Sequence, residues 1–254
     1  MSVAAIVRAH CDLTDGCTMS AEKDALVNIG GFLALNDDEL FDAARDLVVV
    51  CEGLHTCGGM AGRDMEAVAI GLHQSVQLDH IRARVGQVKY LGEELQEYGV
   101  PMVVPIGSHG VFLDAKALLP HLDQDVYPAQ TLAAGLYLDG GVRAMERGNV
   151  SAGRDPKTGQ NRRPKLELVR LTIPRHVYTR AHLDVVAESV TEVHDLRESI
   201  KGFDMVYEPH QLRFFQARFE PPARAPAAWG VPRRCALACS RRARWPPHSP
   251  RRAW

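Results

Sequence analysis

The stretch from Asp15 to Leu35 limits the possible folds of this chain more than any other segment. It begins with the hydroxyl-rich sequence Asp15-Gly-Cys-Thr-Met-Ser20, continues through Ala-Glu-Lys23-Asp24, and ends in an apolar run that two glycines interrupt. The β-branched residues and the glycine pair of this run predict a strand and a turn rather than a helix. Because such apolar runs are usually buried, we expect Lys23 to lie where loss of solvent favours an uncharged, nucleophilic amine.

Residue spacing alone leaves three interpretations of Lys23. In the first, its amine holds an aldehyde cofactor as a Schiff base, and the hydroxyls of Thr18 and Ser20 help to bind a phosphate. In the second, Ser20-Ala-Glu-Lys23 is the nucleophile pair of a hydrolase, with Lys157-Thr-Gly159 as a later element. That pair needs a helix to place both side chains on one face, which a strand and turn does not provide. In the third, Lys23 is an exposed loop lysine.

Composition restricts the classes of protein to which this chain can belong. Its 254 residues are enough for one large domain or two ordinary domains, and 46% hydrophobic with 24% charged residues is typical of a globular protein. The formal net charge of -1 gives no indication of a nucleic-acid or membrane partner. With no run of about 20 apolar residues and no signal-peptide pattern, the sequence predicts a cytoplasmic protein.

Hydrophobic periodicity predicts an α/β fold. Five segments are predicted to be helices: 2–11, 36–48, 64–98, 128–138 and 179–200. Five segments are predicted to be strands, the first two of them paired through a turn: 102–106, 111–113, 142–147, 166–173 and 211–219. After Glu220 the composition changes to mainly Pro, Ala and Arg, and residues 221–254 are predicted to be a disordered tail.

Two arginines and two phenylalanines have the pattern of ligand-binding residues. Strand alternation places Arg147 on the same face as Met145. Arg170 lies among apolar strand residues and needs an anion, which either an internal carboxylate or the carboxylate of a substrate provides. Alternation also places Phe214 and Phe215 on opposite faces of the last predicted strand, one toward the core and one toward a pocket, unless both pack in the core.

Several motifs occur in one order along the chain. They are Asp15-Gly-Cys-Thr-Met-Ser20 before Lys23-Asp24, Asn28-Ile-Gly-Gly31, Gly62-Arg-Asp-Met-Glu66, Met145-Glu-Arg-Gly148, Arg170-Leu-Thr-Ile-Pro-Arg175, and Tyr207-Glu-Pro ahead of Leu212-Arg-Phe-Phe215. Through these motifs, residues 2–220 resemble the tryptophanase and tyrosine phenol-lyase family of pyridoxal-phosphate-dependent β-eliminating lyases. The resemblance implies an α/β architecture of fold type I, with the end of the large cofactor domain in residues 1–75 and the small α/β domain in residues 76–220. We expect the amino-terminal half of the family fold to be absent from this chain.

The resemblance also implies roles for individual residues. Lys23 is the residue that forms the Schiff base with pyridoxal 5'-phosphate and the candidate base for the α-proton, and Ser20 lies near the cofactor phosphate. Arg170 holds the α-carboxylate of the amino acid, and the main-chain carbonyl of Asn28 binds a potassium ion. The implied reaction is β-elimination of an aromatic amino acid by a homotetramer.

Arg147 and the Phe214-Phe215 pair resemble the phenol-lyase branch of the family, which converts L-tyrosine to phenol, pyruvate and ammonia. A cation suits a phenolic oxygen better than an indole ring, which favours the phenol-lyase branch. The tryptophan indole-lyase branch is the alternative. A catalytically silent fragment that retains only an association role is a further alternative. Two residues depart from the family pattern: Glu22 replaces a second lysine, and Cys57 replaces a tyrosine.

Overall fold

The computed structural model describes residues 1–222 of the chain, which fold into helices and strands and confirm the predicted α/β class. These residues form two compact units. Unit 1 contains residues 1–90, 107–109 and 173–180, and unit 2 contains residues 91–106, 110–172 and those from Ala181 onward. The tail predicted for residues 221–254 lies, beyond its first two residues, outside the described part of the chain.

The helices are, in chain order, α1 (Val3–Cys11), α2 (Ala21–Asp24), α3 (Asp38–Cys51), α4 (Gly62–Ser75), α5 (Leu78–Glu97), α6 (Ala115–Leu118), α7 (Pro128–Gly140), α8 (Asn149–Ala152), α9 (Arg180–Asp195) and α10 (Arg213–Gln216). The strands are β1 (Gly16–Ser20), β2 (Gly31–Leu35), β3 (Gly110–Asp114), β4 (Met145–Arg147), β5 (Leu168–Thr172), β6 (Asp204–Tyr207) and β7 (Arg218–Glu220). Across residues 1–222, no helix has both the length and the apolar character that a membrane crossing requires.

Unit 1 has a small core beneath the antiparallel pair of β1 and β2. Its buried members and the partly buried residues packed against them are Ala21, Ala25, Val68, Met19, Val27, Met60 and Leu72. Gly71 of α4 lies so close to the backbone of Ala25 that a Cβ at position 71 would be 1.5 Å from the Ala25 carbonyl oxygen. Only glycine allows this approach of the two backbones.

The apolar run after Lys23 is mostly exposed, so the prediction that it is buried is wrong. Ile29 is 53% exposed and Leu33 is 50% exposed, and β2 contains no buried residue. Helix α3, which follows β2 and is capped by Asp37 through the N–H of Leu40 at 2.7 Å, has no buried residue either. The core of unit 1 therefore lies under α2 and α4, and β2 and α3 leave apolar side chains uncovered.

The single helix predicted over 64–98 is in fact two helices. Helix α4 ends at Ser75 and α5 begins at Leu78. At the break, Gln77 Nε2 donates to the carbonyl oxygen of His73 at 3.2 Å, so a side chain takes an acceptor that a continuing helix would use. The boundary between the two units falls within α5, after Tyr90.

Unit 2 contains an antiparallel sheet with the strand order β3-β5-β4. Strand β5 confirms the strand predicted over 166–173, and α7 confirms the helix predicted over 128–138. The predicted pairing of 102–106 with 111–113 is confirmed only at its start, where Met102 and Leu113 form an isolated antiparallel bridge and the N–H of Val103 donates to the carbonyl oxygen of Phe112 at 2.9 Å. Pro105 has no N–H to donate, so the segment 102–106 cannot form a regular ladder, and β3 pairs with β5.

Residues 211–219 are also not the single strand predicted from the sequence. Leu212 has a left-handed backbone with φ of 59°, the short helix α10 follows, and only then does β7 begin and pair with β6. Strand alternation therefore does not decide where Phe214 and Phe215 point.

A short segment of unit 1, Ile173 to Arg180, follows β5 and is called the return segment below. Two side chains of α5 hold its backbone. Arg84 Nη1 donates to the carbonyl oxygen of Ile173 at 3.3 Å, and Gln87 Nε2 donates to that of Tyr178 at 2.7 Å.

Candidate functional site

Lys23 lies on α2, a single helical turn that follows β1 directly. Ala21 and Ala25 are four residues apart and fully buried, so the remaining side of the turn, which carries Lys23, is exposed. The side chain of Lys23 forms no hydrogen bond or ion pair with any residue that the structure describes. The predicted desolvation of Lys23 is therefore wrong, but its amine is accessible and unpaired.

Ser20 precedes α2 in the N-cap position, yet its hydroxyl caps no backbone N–H. Ser20 Oγ donates instead to Glu22 Oε1 at 3.0 Å. The pKa of the Glu22 carboxyl is lowered by the hydrogen bond from its own backbone N–H and by the hydrogen bond from Ser20. The hydroxyl predicted to lie near a phosphate thus already has a carboxylate as its acceptor.

The structure does not form the hydrolase site that the second interpretation of Lys23 requires. Ser20 and Lys23 do share a helical turn, so the sequence argument that no helix joins them is wrong. The hydroxyl of Ser20 nevertheless contacts Glu22. Lys157 lies in an exposed turn, where its N–H donates to Asp155 Oδ1 at 2.8 Å, as expected for a surface turn.

Two arginines outside α2 engage its backbone and its last side chain. Arg175 of the return segment donates from Nη2 to the carbonyl oxygen of Glu22. Arg84 of α5 lies with Nη2 3.5 Å from Asp24 Oδ1. Both contacts fix the turn that carries Lys23. The sequence analysis found Arg175 only as part of a motif and did not find Arg84.

Asn28 lies in the exposed loop between α2 and β2. Within residues 1–222, no group of three or more His, Cys, Asp and Glu side chains is placed to hold a metal ion. A potassium ion held by main-chain carbonyls is not a site of that kind, so the role of Asn28 stays a prediction.

Arg147 and Arg170 lie in neighbouring strands of unit 2. Met145 of β4 pairs with Arg170 of β5, and Arg170 Nη2 lies 3.2 Å from Met145 Sδ. Burial, followed by the charge of Arg147, lowers the pKa of Arg170. Arg170 Nε is buried without a hydrogen-bond partner, and no carboxylate in the described residues pairs with this guanidinium. The internal-carboxylate alternative is therefore not found, and the arrangement suits an external anion.

An aromatic pair lies beside Arg147. The Cζ atom of Arg147 is 5.3 Å from the ring centroid of Phe214, and the rings of Phe214 and Phe215 meet edge-on at 5.0 Å. Phe215 is 75% exposed. Unit 2 thus brings together Arg147, Arg170 and Phe214, all identified from the sequence, with Phe215 at the outer edge.

Arg213 is a buried residue of α10 that sequence reasoning missed. Its Nη1 donates to Asn161 Oδ1 at 2.8 Å and lies 3.3 Å from Glu208 Oε1, and its guanidinium stacks 5.4 Å from the ring centroid of Tyr127. Glu208 is also bound by Arg154 at 2.6 Å. This network fixes α10, which presents Phe214 to Arg147.

Two buried glutamates lie on the other side of β4. Glu146 accepts hydrogen bonds from the N–H groups of Gly148 at 2.7 Å and Val150 at 3.0 Å, which fixes the turn after Arg147. Burial raises the pKa of the Glu167 carboxyl to about 7, and the charge of Glu146 adds to the effect. Neither carboxylate was singled out in the sequence analysis.

The sequence profile of the family described as Beta-eliminating lyase matches residues 1–189 of this chain. The chain belongs to the β-eliminating lyase family. Among its relatives, the tyrosine phenol-lyase of Nostoc punctiforme is 64% identical over 219 residues, which cover 86% of this chain and 47% of that enzyme. The tyrosine phenol-lyase of Pasteurella multocida is 60% identical over 218 residues, which cover 86% of this chain and 48% of that enzyme.

The chain spans about half the length of the curated relatives that it matches. It is also similar to a solved serine palmitoyltransferase from S. paucimobilis with bound PLP–myriocin aldimine. That likeness has a TM-score of 0.49 at 18% identity and covers 73% of this chain and 41% of the other, and it adds nothing to the family assignment.

Proposed function

We propose that this chain carries the cofactor lysine and the substrate-binding arginines of a lyase of fold type I. The lyase uses pyridoxal phosphate to convert L-tyrosine to phenol, pyruvate and ammonia. The observation that carries the proposal is the pair formed by Arg147 and Arg170. Burial, followed by the charge of Arg147, lowers the pKa of Arg170, and neither arginine has a carboxylate partner within residues 1–222. The curated relatives named tyrosine phenol-lyase support tyrosine as the substrate.

The residues present fit pyridoxal phosphate at its aldehyde end. Lys23 offers an exposed amine without a partner, which is the group that binds the aldehyde of this cofactor. When bound, the cofactor supplies an electron sink that stabilises the negative charge left on Cα of the amino acid. At the phosphate end, the hydroxyl of Ser20 is engaged by Glu22.

Arg170 binds the α-carboxylate of the substrate in this proposal. Its buried Nε is without a partner, and Nε–H together with an Nη–H forms the fork that holds both oxygens of a carboxylate. A carboxylate held at two points fixes the direction of the Cα–H bond. The amine of Lys23 removes the proton from Cα and returns one to the leaving phenolic part.

Arg147 and Phe214 select the leaving group. A guanidinium has donors and no acceptor, so Arg147 binds a phenolic oxygen but cannot accept a hydrogen bond from an indole N–H. Phe214, 5.3 Å from Arg147, offers its ring to the aromatic side chain of the substrate. This chemistry favours tyrosine over tryptophan, and therefore the phenol-lyase branch over the indole-lyase branch.

The proposal includes three further features that the resemblance implies. The carbonyl of Asn28 binds a potassium ion, the complete enzyme is a homotetramer, and it works in the cytoplasm. Residues 1–75 belong to its large domain and residues 76–220 to its small domain.

A second candidate is a silent fragment whose role is association. The observation that favours it is helix α3, which has no buried residue along its fourteen positions, with Leu47 63% exposed and Val50 81% exposed. Apolar surface of this kind marks an interaction surface.

The test separates cofactor binding from substrate binding. The purified full chain is incubated with pyridoxal phosphate, reduced with borohydride and digested, and we expect the cofactor mass on the peptide that contains Lys23. Lys23→Ala is expected to lose it. Arg170→Lys is expected to keep the adduct but to weaken tyrosine binding, measured by calorimetry, by about a hundredfold, because Lys lacks the fork.

The control is Arg143→Lys, a change at an exposed arginine of the segment before β4, which is expected to leave both readouts unchanged. An adduct that persists in Lys23→Ala, or tyrosine binding that is equal in Arg170→Lys and in the unaltered chain, would contradict the proposal. Failure of the adduct together with normal folding would favour the association role.

A further inference from the structure

Glu22 accepts the hydrogen bond of the Ser20 hydroxyl, which is the group that a phosphate beside Lys23 would need. Ser20 Oγ has one proton to donate, and it donates that proton to Glu22 Oε1 at 3.0 Å. A phosphate monoester near neutral pH is only an acceptor and carries a charge of about -1.5 to -2. Ser20 can therefore bind a phosphate only after it releases Glu22.

The negative charge of Glu22 also disfavours a phosphate group at this position. Its hydrogen bonds favour the ionised carboxylate, which repels a phosphate dianion placed near the same hydroxyl. Of the two nearby guanidinium groups, Arg84 pairs with Asp24, and Arg175 donates to the carbonyl oxygen of Glu22 while its charge attracts the Glu22 carboxylate. The positive charge around α2 is thus already shared with two carboxylates.

We propose that Glu22 selects against the phosphate of an aldehyde ligand, so that pyridoxal binds at Lys23 about as well as its phosphate ester does. The inference rests on the proposed function in one respect, namely that Lys23 takes the aldehyde. In both ligands Nζ of Lys23 attacks the aldehyde carbon, a C=N bond replaces C=O, and the oxygen leaves as water with two protons from the neutral amine. The two ligands differ only in the phosphate group.

The test measures the affinity of the full chain for pyridoxal and for pyridoxal phosphate, from the visible absorbance of the lysine conjugate. We expect Glu22→Gln to tighten binding of pyridoxal phosphate about tenfold and to change that of pyridoxal by less than about twofold. Asp38→Asn is the control. It removes an equal charge from an exposed residue of unit 1 whose side chain contacts neither Ser20 nor an arginine.

A double-mutant cycle then separates the hydroxyl from the charge. In the presence of Glu22, Ser20→Ala is expected to change the affinity for pyridoxal phosphate by less than about twofold, because the hydroxyl is not available. In the Glu22→Gln background the same change is expected to weaken it about threefold or more, because the released hydroxyl then binds phosphate.

Three outcomes would overturn the inference alone. These are equal tightening of both ligands by Glu22→Gln, the same gain from Asp38→Asn, or a loss on Ser20→Ala that is as large with Glu22 present as without it. If neither ligand forms a conjugate that depends on Lys23, the proposed function fails and the inference fails with it. The measurement with pyridoxal, which has no phosphate, thus distinguishes failure of the inference about Glu22 from failure of the proposed role of Lys23.

Discussion

At the scale of single residues, the burial of Glu167 makes the free energy of unfolding depend on pH. It is fully buried in unit 2, and its pKa rises to about 7 from the ordinary value of 4.5. The folded chain therefore holds a proton that the unfolded chain releases, so stability falls as pH rises from 4.5 to about 7, and outside that range this group causes no further change of stability with pH. Full ionisation costs about 3 kcal/mol of unfolding free energy. Glu167→Gln is expected to remove this dependence.

Urea unfolding at a series of pH values between 5 and 8 checks this prediction. The free energy of unfolding of the unaltered chain should fall relative to that of Glu167→Gln as the pH rises. Glu198→Gln, a change at an exposed residue, is the control and should follow the unaltered chain. An unchanged pH dependence in Glu167→Gln would show that Glu167 does not hold the proton.

The same scale shows how much of the candidate site the sequence could predict. Arg147 and Arg170 were identifiable, because charged side chains among apolar strand residues are unusual enough to require a ligand or a partner, and Phe214 was identified through its motif. Arg175 and Arg213 were not, because their acceptors lie 153 and 52 positions away along the chain. Only the folded structure shows such contacts. Lys23 was found by its motif, but its exposure depends on Ala21 and Ala25 turning inward.

At the scale of elements, α10 depends on one buried side chain. Arg213→Lys is expected to lower the free energy of unfolding by about 2 kcal/mol, because the shorter lysine side chain does not reach the position from which Nη1 contacts both Asn161 and Glu208, and it loses the guanidinium stacked on Tyr127. Chemical denaturation followed by circular dichroism measures the change. Arg218→Lys is the matched control: its guanidinium also lies 5.4 Å from a tyrosine ring, but its side chain is exposed. Equal effects in the two variants would contradict the anchoring role of Arg213.

Elements were predictable where local pattern and tertiary packing agree. Strand β5 has alternating apolar residues that are buried as the pattern requires, and helix α7 consists mainly of small and apolar residues, most of which are buried. The pattern failed over 102–106, where Pro105 prevents a regular ladder, and over 211–219, where the burial of Arg213 favours a helical turn. A short window with two adjacent phenylalanines fits a strand and a helical turn equally well, so only contacts made by distant residues decide between them.

At the scale of the whole molecule, the apolar surface of unit 1 has the largest physical consequence. Helix α3 and strand β2 expose Phe32, Leu33, Leu40, Phe41, Leu47 and Val50. Soluble monomers seldom leave a group of this kind in contact with water. Because no residue within 1–222 covers this surface, and the chain spans about half the length of its curated relatives, we expect copies of the chain to associate through it.

The full chain is therefore expected to self-associate, with a sedimentation coefficient that rises with protein concentration. Leu47→Glu places a charge in the exposed apolar surface of α3, and it is expected to weaken association about a hundredfold, because a carboxylate buried in an apolar interface lacks a partner. Val206→Glu, at a position 53% exposed in β6 of unit 2, is the control and should associate as the unaltered chain does. Circular dichroism confirms that both variants stay folded. A chain that sediments as a monomer at every concentration, or equal weakening by the two variants, would show that α3 is not where the copies meet.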